Sequence, residues 1–260
     1  MILYSGMQIQ NIRDVVNRLA QIIEQSEATK NKAGFFAALY KRMTVAVMNS
    51  INTNQFDDGA RMEKLDMIFA QRYLDAYSCF LSKQPCSNSW QFAFDCCMDN
   101  SLIVLQHLLL GINTHINLDL AIAAAEIAPG NSIHALQNDF NKINSLISSL
   151  TDDIQECLCE VWLPMRMLMK IANGKQMAVL NFSIDKAREA SWSNAVMLAN
   201  MNAEQKNIYI QQMDNVVKLL GEKIKSPDIA TRFILEAIHV TEYDDVARTI
   251  NLIDTTVVNN

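Results

Sequence analysis

Glycine and proline are scarce in this chain, 7 and 4 among 260 residues. Sandwiches and barrels need turn residues every ten or so positions, so those architectures are excluded. Basic charge is also thin, with 22 Lys and Arg against 28 Asp and Glu. A duplex-binding surface needs clustered cations to neutralise phosphates. The short groups Lys30/Lys32 and Lys41/Arg42 read instead as solvated helix faces, and nucleic acid is not an expected partner.

Cysteine is sparse and unpatterned: Cys79, Cys86, Cys96, Cys97, Cys157 and Cys159 include no C-x-x-C pair. On a helix, Cys157 and Cys159 point about 200° apart and cannot share a metal. No secretory signal is read at the N-terminus, so the expectation is reduced, mostly buried thiols in a cytoplasmic protein.

Hydrophobic residues are plentiful, at 50% of the chain, and Met alone contributes 14. Such a composition supports a large core and favours helices. Apolar residues recur at helical spacing, as in Ile12, Val15, Val16, Leu19, Ile22 and Ile23. The pattern predicts helices over about 9–26, 33–49 and 57–81. A long one runs from Trp90 to Ala128, stopped by Pro129-Gly130, and another from Ser132 into the 150s. Pro164 marks a kink or start and Asn173-Gly174 a stop. Further helices cover about 175–200, 203–224 and 227–253. Asp57 or Asp58 is the expected cap of the third, one of Ser87, Asn88 and Ser89 of the fourth, and Ser226 of the last, with Asp244-Asp245 dividing it. No segment has period-two alternation, and no linker is rich enough in Gly, Pro or Ser to separate domains. The expected fold is all-α: a single helical domain over 1–260, a bundle of about eight to ten helices around a long central apolar helix.

That central helix carries too many polar groups for a lipid-facing span: Gln106, His107, Asn113, His115, Asn117, Asp119 and Glu126. At about 100° per residue, His115, Asp119 and Glu126 fall within roughly 40° of each other. Gln106, Asn113 and Asn117 form a second line on nearly the opposite side. Two polar lines separated by Leu, Ile and Ala predict an internal helix whose polar groups need organised partners. A break at Gly111, or capping by Thr114 or Asn117, would disturb this phase. Gly111 itself costs about 1 kcal/mol against Ala in mid-helix, which points to close approach of a backbone or ligand.

Two functional expectations follow. In one, the chain is an enzyme with a buried His/Asp site for a small organic molecule, with His115 as base or ligand and Asp119 as ligand or orienter. Asp66 reaches the core or pairs with Arg61 or Arg72, and Arg72 or Arg188 pairs an anionic substrate. A divalent metal (Fe, Mn or Zn) would draw on His107, His115, Asp119 and His239. In the other, the polar helix is a structural network in a non-catalytic protein that binds a hydrophobic ligand or a protein partner. His134, in a polar helix start, is expected at the surface, and Asp139, Asn144 and Trp192 repeat the ambiguity of Asp66. No G-x-S-x-G, P-loop, G-x-G-x-x-G or H-E-x-x-H is present.

The run His107-Leu-Leu-Leu-Gly-Ile-Asn-Thr-His-Ile-Asn-Leu-Asp-Leu120 resembles the hallmark of an uncharacterised bacterial family with no assigned activity. Arg61, Asp66, Arg72-Tyr73, Ser89-Trp90, Asp139-Phe140, Asn144 and Ala187–Trp192 extend the resemblance from Asp57 to Trp192. The resemblance implies an all-helical fold and no mechanism; His239 lies outside the matched stretch.

Overall fold

A computed structural model of the chain describes residues 9–143, 146, 184–242 and 245–255. The described residues are helices and connections with no strand, an all-α multi-helix fold. Helix α1 (Ile12–Thr29) starts where the Asn11 side chain accepts the Asp14 N–H, and α2 (Ala33–Asn52) follows a three-residue turn. Asp58 caps α3 (Gly59–Leu81) through the Arg61 N–H, as its short acceptor side chain favours. Ser87 caps α4 (Asn88–Cys96) through the Trp90 N–H.

The single helix expected from Trp90 to Ala128 is two helices. Asp99 Oδ1 accepts both the Ser101 N–H at 3.0 Å and the Ser101 hydroxyl at 2.6 Å. This local bonding competes with helical pairing and breaks the chain after Cys96. Helix α5 (Val104–Thr114) then runs through a π-helical turn (His115–Leu120) directly into α6 (Ala121–Ile127). Val104–Ile127 is long and apolar enough to cross a membrane, but 89% of its most apolar window is buried against the rest of the protein. It is the central core helix.

Helix α7 is described over 133–143. Then come α8 (Ile184–Ala199), α9 (Ala203–Lys225), α10 (Ile229–Thr241) and α11 (Val246–Thr255). Asp228, not Ser226, caps α10, and Asp245 accepts the Arg248 N–H, so the last apolar stretch does divide there. The expectations at Asn144, Cys157, Cys159, Pro164, Asn173-Gly174 and Asp244 lie outside the described residues. Cys79, Cys86, Cys96 and Cys97 are free thiols; only Cys96 is fully buried.

Buried side chains form two clusters. One gathers α1, α2, the second half of α3, α4, the first half of the central helix, α10 and α11 around Phe36, Tyr73 and Trp90. The other gathers α3, α6, α7, α8 and α9 around Met62, Leu118, Leu136 and Phe140. Met43 and Phe69 border both.

Candidate functional site

The central helix puts its two polar lines to different uses. Gln106 Nε2 donates to the carbonyls of Ile224 at 2.9 Å and Lys225 at 3.2 Å, satisfying the C-terminal end of α9. Asn113 Nδ2 donates to Val217 O at 2.9 Å, and Asn117 Nδ2 to Asn113 Oδ1 at 3.1 Å. This line is packing chemistry that locks the central helix to α9.

The opposite line builds a site. Asp119 is 1% exposed and accepts from three groups. Arg72 Nε on α3 donates to Oδ1 at 3.0 Å. Trp90 Nε1 on α4 donates to Oδ2 at 2.8 Å, and His115 Nδ1 meets the same oxygen at 3.1 Å. A carboxylate only accepts, so His115 carries its proton on Nδ1 and leaves Nε2 as a lone-pair acceptor. Burial pushes the His115 pKa below its ordinary 6.5, against the hydrogen bond it donates to Asp119, so the ring is neutral at pH 7.

Trp90 is set in place from behind. Asp214 on α9, buried, accepts the Ser89 N–H at 2.9 Å, the Ser89 hydroxyl at 2.6 Å and the Asn88 N–H at 2.6 Å. The start of α4 is thereby tied to α9. The imidazole of His115 is clamped by rings: Phe69 stacks on it at 3.6 Å between centroids and 10°, and Tyr40 meets it edge-on at 4.4 Å.

His115 Nε2 is buried and has no hydrogen-bond partner among the described residues. The His115 side chain borders a cavity of about 100 Å³ lying where the two hydrophobic clusters meet. The lining is almost wholly apolar, with Leu39, Met43, Leu65 and Ile112 from α2, α3 and α5, and Asp66, Tyr40 and Arg188 as its other polar side chains.

The sequence expectations separate on this geometry. His115 and Asp119 come together as a dyad, and Arg72 joins them by binding Asp119 rather than facing the cavity as an anion clamp. Asp66 is buried on the cavity and makes neither expected ion pair: Arg61 bonds Asp139 and Arg72 bonds Asp119. Glu126, placed on the His115 line by ideal helical phase, is exposed, because the π-turn between them changes the phase. His107 does not join His115. It borders a separate polar cleft with Lys32, Asn100, His239 and Glu242, which His115 does not line. The four-residue metal set of His107, His115, Asp119 and His239 is thus split between two places. Among the described residues no three His, Cys, Asp or Glu side chains are grouped to hold a metal ion. His134 and His239 are exposed.

Gly111 is required by a side chain rather than by a backbone or ligand: a Cβ there would lie 2.4 Å from the Phe36 ring. Arg188 places its guanidinium 4.4 Å from the centre of the Phe140 ring and donates to Phe140 O at 2.7 Å, a packed arginine at the cavity edge. Asp139 accepts the N–H groups of Asp57 at 2.6 Å and Asp58 at 2.9 Å, holding the turn that opens α3. Tyr40 and Trp90 were missed as site residues. Their only signals were the Phe36/Tyr40/Val47 spacing of α2 and the Ser89-Trp90 pair.

Residues 12–227 match a family described as a family of unknown function, DUF5995, and the chain belongs to that family. The match takes in the whole stretch from Asp57 to Trp192 and stops short of His239. No curated protein and no solved structure matches the chain.

Proposed function

For a member of a family without an assigned activity, we propose that the chain is an enzyme that takes a small, largely apolar organic molecule into the cavity beside His115. His115 Nε2 is the acceptor or general base, and Asp119 fixes its tautomer and ring orientation. Arg72 and Trp90 are positioning residues that hold Asp119.

One observation carries this reading: a buried, neutral imidazole on the wall of an apolar cavity has a lone pair with no partner among the described residues. Buried polar atoms are nearly always paired, and an orphan costs about 1–3 kcal/mol. The alternative, a purely structural network, accounts well for Gln106, Asn113 and Asn117, whose groups meet backbone or each other. It leaves His115 Nε2 unexplained.

The test is a titration of the full chain with propan-2-ol, followed through the ¹⁵N resonances of His115. A saturable shift at Nε2, lost when Ile112→Phe fills the cavity, is the expected result. If the probe leaves His115 untouched, the cavity is not a ligand site.

A further inference from the structure

Two other side chains lining the same cavity carry a buried polar atom with no partner among the described residues: the Tyr40 hydroxyl and Asp66 Oδ2. Tyr40 sits edge-on to the His115 ring, and among the described residues no ion pair reaches Asp66, since Arg61 and Arg72 bond elsewhere and Arg188 packs on Phe140. Burial, helped by nearby Glu63, pushes the Asp66 carboxyl up to about 7. Burial likewise holds the Tyr40 pKa well above its ordinary 10.0. Tyr40 therefore offers an O–H donor at neutral pH and Asp66 offers one as pH falls below about 7, while His115 Nε2 is an acceptor.

Two donors and one base around a dry, apolar space suit a substrate that develops negative charge on oxygen as it loses a proton from carbon. Water-excluded donors aimed at such an oxygen are worth about 10²–10³ in rate each. A carboxylic acid kept neutral by apolar surroundings is an established way to supply one. The volume limits the substrate. A cavity of about 150 Å³ accepts benzene, so about 100 Å³ suits a body smaller than benzene, of about four or five heavy atoms.

Resting on the reading of His115 given above, we infer that Tyr40 and Asp66 hold the oxygen of a small apolar ketone while His115 Nε2 removes a proton from the adjacent carbon. The C–H bond breaks and its electron pair forms a carbon–carbon double bond. The carbonyl π pair moves to oxygen, which takes the Asp66 proton and keeps the Tyr40 hydrogen bond. His115 becomes an imidazolium paired to Asp119. Returning the proton to the same carbon gives exchange, and returning it to the γ-carbon of an unsaturated ketone gives isomerisation. Asp66 recovers its proton from the enol oxygen in the same step. No oxidant, reductant or co-reactant is consumed.

The experiment uses the full chain with acetone and butan-2-one in D₂O, read by α-deuteration. Wild-type protein should accelerate both above the buffer rate. His115→Gln should lower the rate at least 100-fold, Asp66→Asn and Tyr40→Phe at least tenfold each, and His239→Ala should leave it unchanged. If a variant fails to fold, wild type still decides: propan-2-ol, which presents the enol's O–H on a body of the same size, should inhibit competitively, and the rate should fall as pH rises through about 7. Binding of propan-2-ol at His115 with no acceleration of either ketone overturns this inference and leaves the binding reading standing. No binding and no acceleration overturns both. Acceleration that survives Asp66→Asn and Tyr40→Phe unchanged also overturns it.

Discussion

Trp90 and Asp119 are joined by a buried 2.8 Å hydrogen bond from the indole N–H to a carboxylate oxygen that His115 shares. Trp90→Phe removes that donor and part of a fully buried side chain. The expected cost is on the order of 2–4 kcal/mol, from the vacated volume and the weakened satisfaction of Asp119. Chemical denaturation of the two proteins at one pH measures it.

The tautomer of His115 is a second outcome of the same dyad. Nitrogen NMR should show a neutral ring with its proton on Nδ1 at pH 7, in keeping with burial and the Asp119 acceptor. Asp119→Asn, which can present a donor to the same nitrogen, should shift the population toward the Nε2–H form.

Gly111→Ala tests the packing of Phe36 against the central helix. Alanine gains about 1 kcal/mol of helix propensity, but its Cβ would meet both Cγ and Cδ2 of Phe36 at 2.4 Å. Those atoms lie at the base of the ring and cannot swing clear, so a net loss of about 1–3 kcal/mol is expected. Phe36→Leu should recover part of it, and a double-mutant cycle reads the coupling.

The pH dependence of stability has two opposed parts. Asp66 is raised from 3.8 to about 7 by burial. Its neutral form is the one the fold accepts, so its contribution is full below 3.8 and is lost as pH rises through about 7. Glu242, raised to about 7 by burial, adds in the same sense. Asp66→Asn should therefore stabilise the protein more at pH 8 than at pH 5. His107 works the other way: burial lowers its pKa from 6.5 to about 3. Its neutral ring is accommodated above 6.5 and must charge as pH falls toward 3, so His107→Gln should reduce acid sensitivity. Thermal unfolding across pH 3–9 separates the two.

Glu126→Ala provides the contrast. Glu126 is exposed on α6, and the substitution should change stability by no more than about 0.5 kcal/mol. A larger effect would mean that Glu126 belongs to the buried line after all.

The helices themselves were legible because their signals are local. Asp58 and Ser87 cap where short acceptor side chains precede apolar periodicity, and Asp245 divides the last stretch as its position suggests. The burial of His115 and Asp119 and the existence of two polar lines were also readable, because period and polarity lie in the chain itself. The break after Cys96 was not, since a Ser101–Asp99 turn competes with an otherwise helical run.

What the sequence by itself determined is the helical class, most of the helix limits, and the fact that one apolar helix must bury imidazole, carboxylate and amide groups together. Periodicity and composition suffice for that, because each residue's preference acts over a few neighbours. The tertiary structure decided which of those groups meet. The π-turn at His115–Leu120 shifted the phase so that Glu126 left the line. The packing of α3 and α4 brought Arg72 and Trp90 to Asp119. The imperfect junction of two clusters left a cavity lined by His115, Asp66 and Tyr40, each with a buried polar atom unpartnered among the described residues. Contacts between residues tens of positions apart depend on how whole helices pack, and no local preference encodes them.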